Sequence, residues 1–152
     1  MNDHIKSWLF VIIQAILLVL LIFFTDSNTP PTYTVSVTGK LIELAGGVIL
    51  LISLYDLRKS LTALPLPKGN GVLQVRGLYK YVRHPMYVGV LTLSLGIAIA
   101  GGSAQKYLLV LGLYLLFSFK ARYEENLLIA KYPDYEVYMK NTPRFIPRLG
   151  RT

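Results

Sequence analysis

Four apolar runs separated by polar stretches organise the chain. The first extends from Ile5 to Phe24 and is interrupted only by Lys6, Ser7 and Gln14. As a helix it is about 30 Å long, the thickness of a bilayer's hydrocarbon core, and Lys6 can extend its amine to the interface. The second run covers about 37–55, with Glu43 near its outer end and Gly46-Gly47 in the middle. The third extends from Met86 to Ala100 and the fourth from Tyr107 to Lys120, joined by the turn Gly101-Gly102-Ser103. These last two are short for a span and need polar flanks or other helices to cover them. Gly89 and Gly96 share one face of the third run, and Gly96 with Ala100 adds a small-xxx-small pair that lets another helix approach. The pattern predicts an all-α integral membrane protein. Its four transmembrane helices cover about 5–24, 37–55, 86–100 and 107–120, and a cytoplasmic C-terminal helical tail follows. A single domain, 1–152, divides into an N-terminal helical hairpin, 1–56, and a core, 57–152.

Composition supports a membrane setting. The chain is 53% hydrophobic and 16% charged, against roughly 25% charged in a typical soluble domain. The net charge of +8 does not point to a nucleic-acid partner, because the basic residues flank membrane-length runs and form no module of their own. The absence of cysteine removes disulfides, thiolate metal sites, thiol nucleophiles and S-acylation. No metal site is read from the rest. A cleaved signal peptide fits poorly, since the first run is too long and Thr25-Asp26-Ser27-Asn28 is no small-x-small site.

Charge also orients the spans. Every lysine and arginine except Lys40 and Lys106 falls on one side of the four-span arrangement. By the positive-inside rule both termini, the loop 56–85 and the tail from Lys120 are cytoplasmic. A soluble cofactor must therefore meet the chain on that face.

The loop carries the candidate chemistry. Pro65, Pro67, Gly69 and Gly71 break it, and the stretch from Val72 to Gly89 follows. The residue before a proline is pushed out of the helical region, whereas proline suits the first helical position. Helix three is thus expected to start at Pro85 with His84 at its N-cap. Unpaired N–H groups and the helix dipole there favour an anionic group such as a carboxylate. His84 adds a titratable donor, and Tyr87 reaches the same volume from one turn on. A structural alternative stands beside this one: Arg83 and His84 as headgroup anchors, and Tyr79, Tyr81 and Tyr87 as an ordinary aromatic belt.

In the tail, Lys120, Glu124 and Leu128 repeat every four residues on one helical face. Lys120 and Glu124 can pair and face a cavity at membrane depth, or form a solvated pair just outside it. The helix is expected to run on to about Lys131, where Pro133-Asp134 ends it and starts another. Tyr135, Tyr138 and Met139 then make one amphipathic face, suited to the membrane surface or to covering a ligand. Arg144, Arg148 and Arg151 are placed on anionic headgroups.

Two blocks carry a resemblance. The first is Gly77-x-Tyr79-x-x-x-Arg83-His84-Pro85-x-Tyr87-x-Gly89. The second is Glu124-Glu125-x-x-Leu128 with Tyr132, Tyr135 and Tyr138, followed by Pro143-Arg144-Phe145-Ile146-Pro147. In this order, with a helical hairpin between them, they resemble the superfamily of isoprenylcysteine carboxyl methyltransferases and phospholipid methyltransferases. The resemblance implies a membrane enzyme that binds S-adenosylmethionine between the loop and the tail. It places His84, Pro85, Met86 and Tyr87 on the methionine end of the cofactor, with Val72, Leu73, Gln74, Tyr79 and Glu124 lining the same pocket. Glu124, Glu125 and Lys120 would be the catalytic positions, and Lys120 with Arg83 would meet the acceptor. Lys120 stands where the family pattern has arginine, and so offers a point charge without a fork.

The resemblance further implies methyl transfer to a lipophilic acceptor, either a prenylated carboxylate or a phospholipid amine. A carboxylate needs no general base, whereas an amine must lose a proton, which Glu124 or Glu125 could take. The expected partners are the bilayer and that acceptor, with the chain a monomer or a homodimer. A sterol-type reductase using a nicotinamide cofactor shares the Arg-His-Pro-x-Tyr string but not the Glu-Glu tail. A four-helix transporter subunit would have only Glu43 as a deep ionisable group.

Overall fold

A computed structural model describes residues 3–24, 31–58 and 73–148. Val72, Pro65, Pro67, Gly69, Gly71, Thr25, Asp26, Ser27, Asn28 and Arg151 from the sequence reading lie outside the described residues. The described residues form five α-helices and no strand: α1 Asp3–Phe23, α2 Tyr33–Leu57, α3 Pro85–Gly101, α4 Ala104–Lys131 and α5 Tyr135–Asn141. A 3-10 turn, Gly77–Lys80, precedes α3.

The boundaries follow local chemistry. Pro85 opens α3 directly after His84, whose non-helical backbone (φ −126°, ψ 63°) cannot continue a helix backwards. Gly102, at φ 65°, closes α3 in the left-handed conformation that glycine tolerates. α4 runs unbroken to Lys131, and Tyr132-Pro133 ends it.

α2 and α3 form the most intimate helix pair, and small residues explain it. Within α2 only Gly39, Gly46 and Ser53 are buried, spaced seven apart. A Cβ on Gly39 would stand 2.9 Å from the Gly96 carbonyl oxygen, and one on Gly46 would strike the Leu93 backbone. A Cβ on Gly89 would meet the Leu50 backbone, and one on Gly96 the Glu43 backbone. The two backbones therefore touch with no side chain between them, the contact expected where a bilayer supplies no hydrophobic drive and close packing must act instead. The seven-residue spacing keeps the seam on one side of both antiparallel helices.

α4 links the pair to α1. Leu21 of α1 packs against Leu113 and Phe117 of α4, and the three side chains are fully buried. Phe10 lies 5.8 Å from Tyr123 between ring centroids, so α1 and α4 run antiparallel. The N-terminal ends of α1 and α3 thus share one end of the bundle with the C-terminal ends of α2 and α4.

The outer faces are apolar. Trp8, Ile12, Ile16, Val19 and Phe23 of α1 are exposed, as are Leu41, Leu44, Val48 and Leu51 of α2. A surface of that kind is unsuited to water. α1 and α2, with 21 and 25 residues, are long and apolar enough to cross a membrane, and little of either is buried by protein. α3 is apolar but has 17 residues.

Candidate functional site

The chemistry expected at the start of α3 gathers at the shared end of the bundle. Asp56, in the last turn of α2, accepts a hydrogen bond from the Leu78 backbone N–H at 3.0 Å. Gly77, at φ 63°, turns the chain there, and any Cβ on it would collide with that carboxylate. This contact brings the 3-10 turn back onto α2 and delivers Arg83 and His84 to the top of α3.

The tail meets the loop by backbone pairing. The Arg83 N–H donates to the Pro143 carbonyl at 2.9 Å, and the His84 N–H to the Arg144 carbonyl at 3.2 Å. The Tyr138 hydroxyl donates to the Tyr79 carbonyl. Burial, then the nearby Glu124 charge, pushes the Tyr79 phenol far above its ordinary range, and burial does the same to Tyr135 and Tyr138. All three phenols remain protonated.

One carboxylate locks this assembly. Glu125, 3% exposed, receives Arg83 at 2.9 Å and His84 Nε2 at 3.1 Å on Oε1, and the Arg144 guanidinium on both oxygens. Its ionised state and acceptor-only oxygens assign the His84 proton to Nε2. Burial opposes ionisation, but hydrogen bonds from His84, Arg144 and Arg83 overcome it and hold the carboxyl far below its ordinary range. The same bonds raise Arg144.

Glu124 sits beside the lock but faces another volume. Its Oε2 accepts from the Tyr87 hydroxyl at 2.9 Å and lies 3.6 Å from His84 Nδ1. Its side chain is 29% exposed, against 4% for Glu125. The Tyr87 ring is stacked between His84, 5.2 Å away, and Phe117, 4.6 Å away. Phe145 of the tail adds a tilted ring 6.1 Å from His84. Lys120 Nζ lies 5.3 Å from the Tyr87 centroid.

The structure thus brings Tyr79, His84, Pro85, Tyr87, Lys120, Glu124 and Glu125 to one end of the bundle. Leu73, Gln74 and Met86 are half-buried, and the Gln74 amide turns to its own segment, 3.4 Å from the Arg76 carbonyl oxygen. Three placements differ from expectation. Lys120 gives its ammonium to Gln14 of α1 at 2.8 Å, not to Glu124. Arg83 was expected to meet an acceptor, but its guanidinium is taken up by Glu125 and by the Met139 and Thr142 carbonyls. Arg144 lies on Glu125 instead of on lipid headgroups. A buried carboxylate needs cationic partners more than the surface needs another arginine. Gln14 and Asp56 were missed. The one polar residue in mid-run was the signal for the first, and Asp56 carried none.

The profile of the phospholipid methyltransferase family matches residues 34–135, from the start of α2 to the start of α5. The chain belongs to the phospholipid methyltransferase family. Two curated relatives share parts of it. The cobalt-zinc-cadmium resistance protein CzcN of Cupriavidus metallidurans is 35% identical over 82 residues, 53% of this chain and 38% of that protein. The protein-S-isoprenylcysteine O-methyltransferase of Schizosaccharomyces pombe is 38% identical over 78 residues, 50% of this chain and 33% of its own length. The chain spans about a third of the length of these relatives. The family match includes every residue of the Glu124–Tyr87–His84 cluster, whereas Gln14 and Arg144 lie outside it.

Proposed function

We propose that this phospholipid methyltransferase family member is an integral membrane, S-adenosylmethionine-dependent methyltransferase. It spans the bilayer with α1, α2, α3 and the first part of α4, keeps both termini cytoplasmic, and methylates a lipophilic acceptor at that face. The observation that carries the reading is Glu124: a partly exposed carboxylate held by Tyr87 and flanked by His84, at the end of the bundle where Arg83 and Arg144 also lie.

The residues fit the cofactor's charges. A partly exposed carboxylate against stacked aromatic rings suits a ligand with two cationic centres, and the His84–Pro85 start of α3 suits its carboxylate. S-adenosylmethionine, when bound, supplies an electrophilic methyl group. The chain's part is to bind, orient and exclude water. Tyr87 fixes one Glu124 oxygen. Glu125 fixes the His84 tautomer and holds the tail over the loop. Tyr79 and Phe145 cover the site. Lys120, one turn further into the bundle, faces the side from which a lipid arrives. For a carboxylate acceptor no residue need take a proton; for an amine, Glu124 is placed to do so, because Glu125 is committed to two arginines and His84.

Calorimetry of S-adenosylmethionine binding to the detergent-purified protein tests this reading, with His84→Ala and Glu124→Ala in parallel. Micromolar binding in the wild type and at least tenfold loss in both variants is expected. A folded wild type that does not bind would refute it.

A further inference from the structure

Lys120 and Gln14 form a polar contact in the apolar middle of the α1–α4 seam, one end of which is closed by the Tyr123 hydroxyl on the Asp3 carbonyl at 3.3 Å. The Lys120 residue is 6% exposed, and its ammonium is 2.8 Å from Gln14 Oε1. Gln14 is the one polar residue of α1 between Trp8 and Phe24. On one side of the contact Phe10 packs on Tyr123. On the other, Leu17 lies against Gly112 and Leu21 against Leu113 and Phe117. Lys120 Nζ also lies 5.3 Å from the Tyr87 ring centroid, so the contact joins the Glu124–Tyr87 site to α1.

The chemistry of the pair is unbalanced. An ammonium has three donors, and an amide oxygen satisfies one of them without cancelling the charge. A charged acceptor makes a roughly twofold stronger hydrogen bond than a neutral one, more so where water is scarce. Glutamine thus holds Lys120 in place and leaves it able to prefer an anion.

We propose that Gln14 is a specificity-determining residue. Its amide oxygen is the resting ligand of Lys120, and the anionic oxygen of an amphiphile entering from the bilayer between α1 and α4 displaces it. That oxygen belongs to a carboxylate or a phosphate. The proposal rests on the methyltransferase reading of the neighbouring site, where the same amphiphile would be the acceptor.

The test uses the full chain in one detergent at pH 8, with laurate, lauryl phosphate and the neutral methyl laurate as probes. Their dissociation constants are compared among wild type, Gln14→Glu and Gln14→Leu, so that partition into micelles cancels between proteins. The wild type is expected to bind laurate, lauryl phosphate or both about tenfold more tightly than methyl laurate. The anion that wins identifies the headgroup. Gln14→Glu supplies Lys120 with a permanent carboxylate and should abolish the preference; Gln14→Leu removes the competing resting ligand and should raise it severalfold. A merely structural role would lower the stability of both variants and leave the ratio unmoved. No preference in the wild type, or an unchanged ratio in either variant, overturns the proposal. Cofactor binding measured on the same samples separates the two readings. If S-adenosylmethionine fails to bind while the anion preference still follows Gln14, the methyltransferase reading falls and the anion site stands.

Discussion

Removing the Glu125 carboxylate should undo the junction between loop and tail. In Glu125→Ala the Arg83 side chain, 9% exposed, keeps two carbonyl partners but loses its counter-charge, and His84 loses the acceptor that fixes its tautomer. Breaking a buried ion pair by deleting one partner costs about 3–5 kcal/mol. Arg144 is 28% exposed, and its share is reduced by solvent, so the low end, about 3 kcal/mol, is the working figure. For a domain of this size that corresponds to a fall in Tm of about 6–12 °C. Glu125→Gln keeps one acceptor oxygen and should lose roughly half as much. The assay is thermal unfolding in detergent followed by circular dichroism. pH supplies the control. The folded carboxyl is held below its ordinary 4.5, so its stabilisation is whole above that pH and drains away as pH falls toward the folded value. The Tm gap between wild type and Glu125→Gln should therefore narrow on acidification below about pH 4.5. A Glu125→Ala protein melting within about 2 °C of wild type at pH 7 would refute the argument.

Two further outcomes follow from the geometry. Gly46→Ala should sharply reduce the folded yield, because its Cβ meets the Leu93 backbone, whereas Gly47→Ala should fold normally, its nearest neighbour being Leu93 Cδ1 at 3.9 Å; size-exclusion profiles compare them. Tyr87→Phe removes the hydroxyl that holds Glu124 and should weaken S-adenosylmethionine binding about tenfold by calorimetry, with Tm nearly unchanged.

Much of the local structure was legible. His84-Pro85 marked the start of α3 because proline restricts its neighbour and itself. The run past Lys120 to Lys131 and the break at Pro133 followed from the same rules. Spacing also singled out Gly89 and Gly96 as a packing face. It could not say that Gly46 touches α3 while Gly47 remains open, because that depends on how the partner helix is rotated. The choice between Glu124 and Glu125 was equally closed. Adjacent positions on a helix point about 100° apart, and only the arrival of Arg144 and Arg83 shows which one is consumed.

By itself the sequence determined the apolar runs, their ends, the asymmetry of charge and the residue types at the head of α3, because length, periodicity and proline act locally. Tertiary structure alone decided the pairings: Glu125 with Arg83, Arg144 and His84, Lys120 with Gln14 rather than Glu124, and Asp56 with the Leu78 N–H. These contacts join residues between 19 and 106 positions apart. Each depends on helices brought together by small-residue packing and on buried charges that take whichever partner lies nearest, and no local rule encodes either.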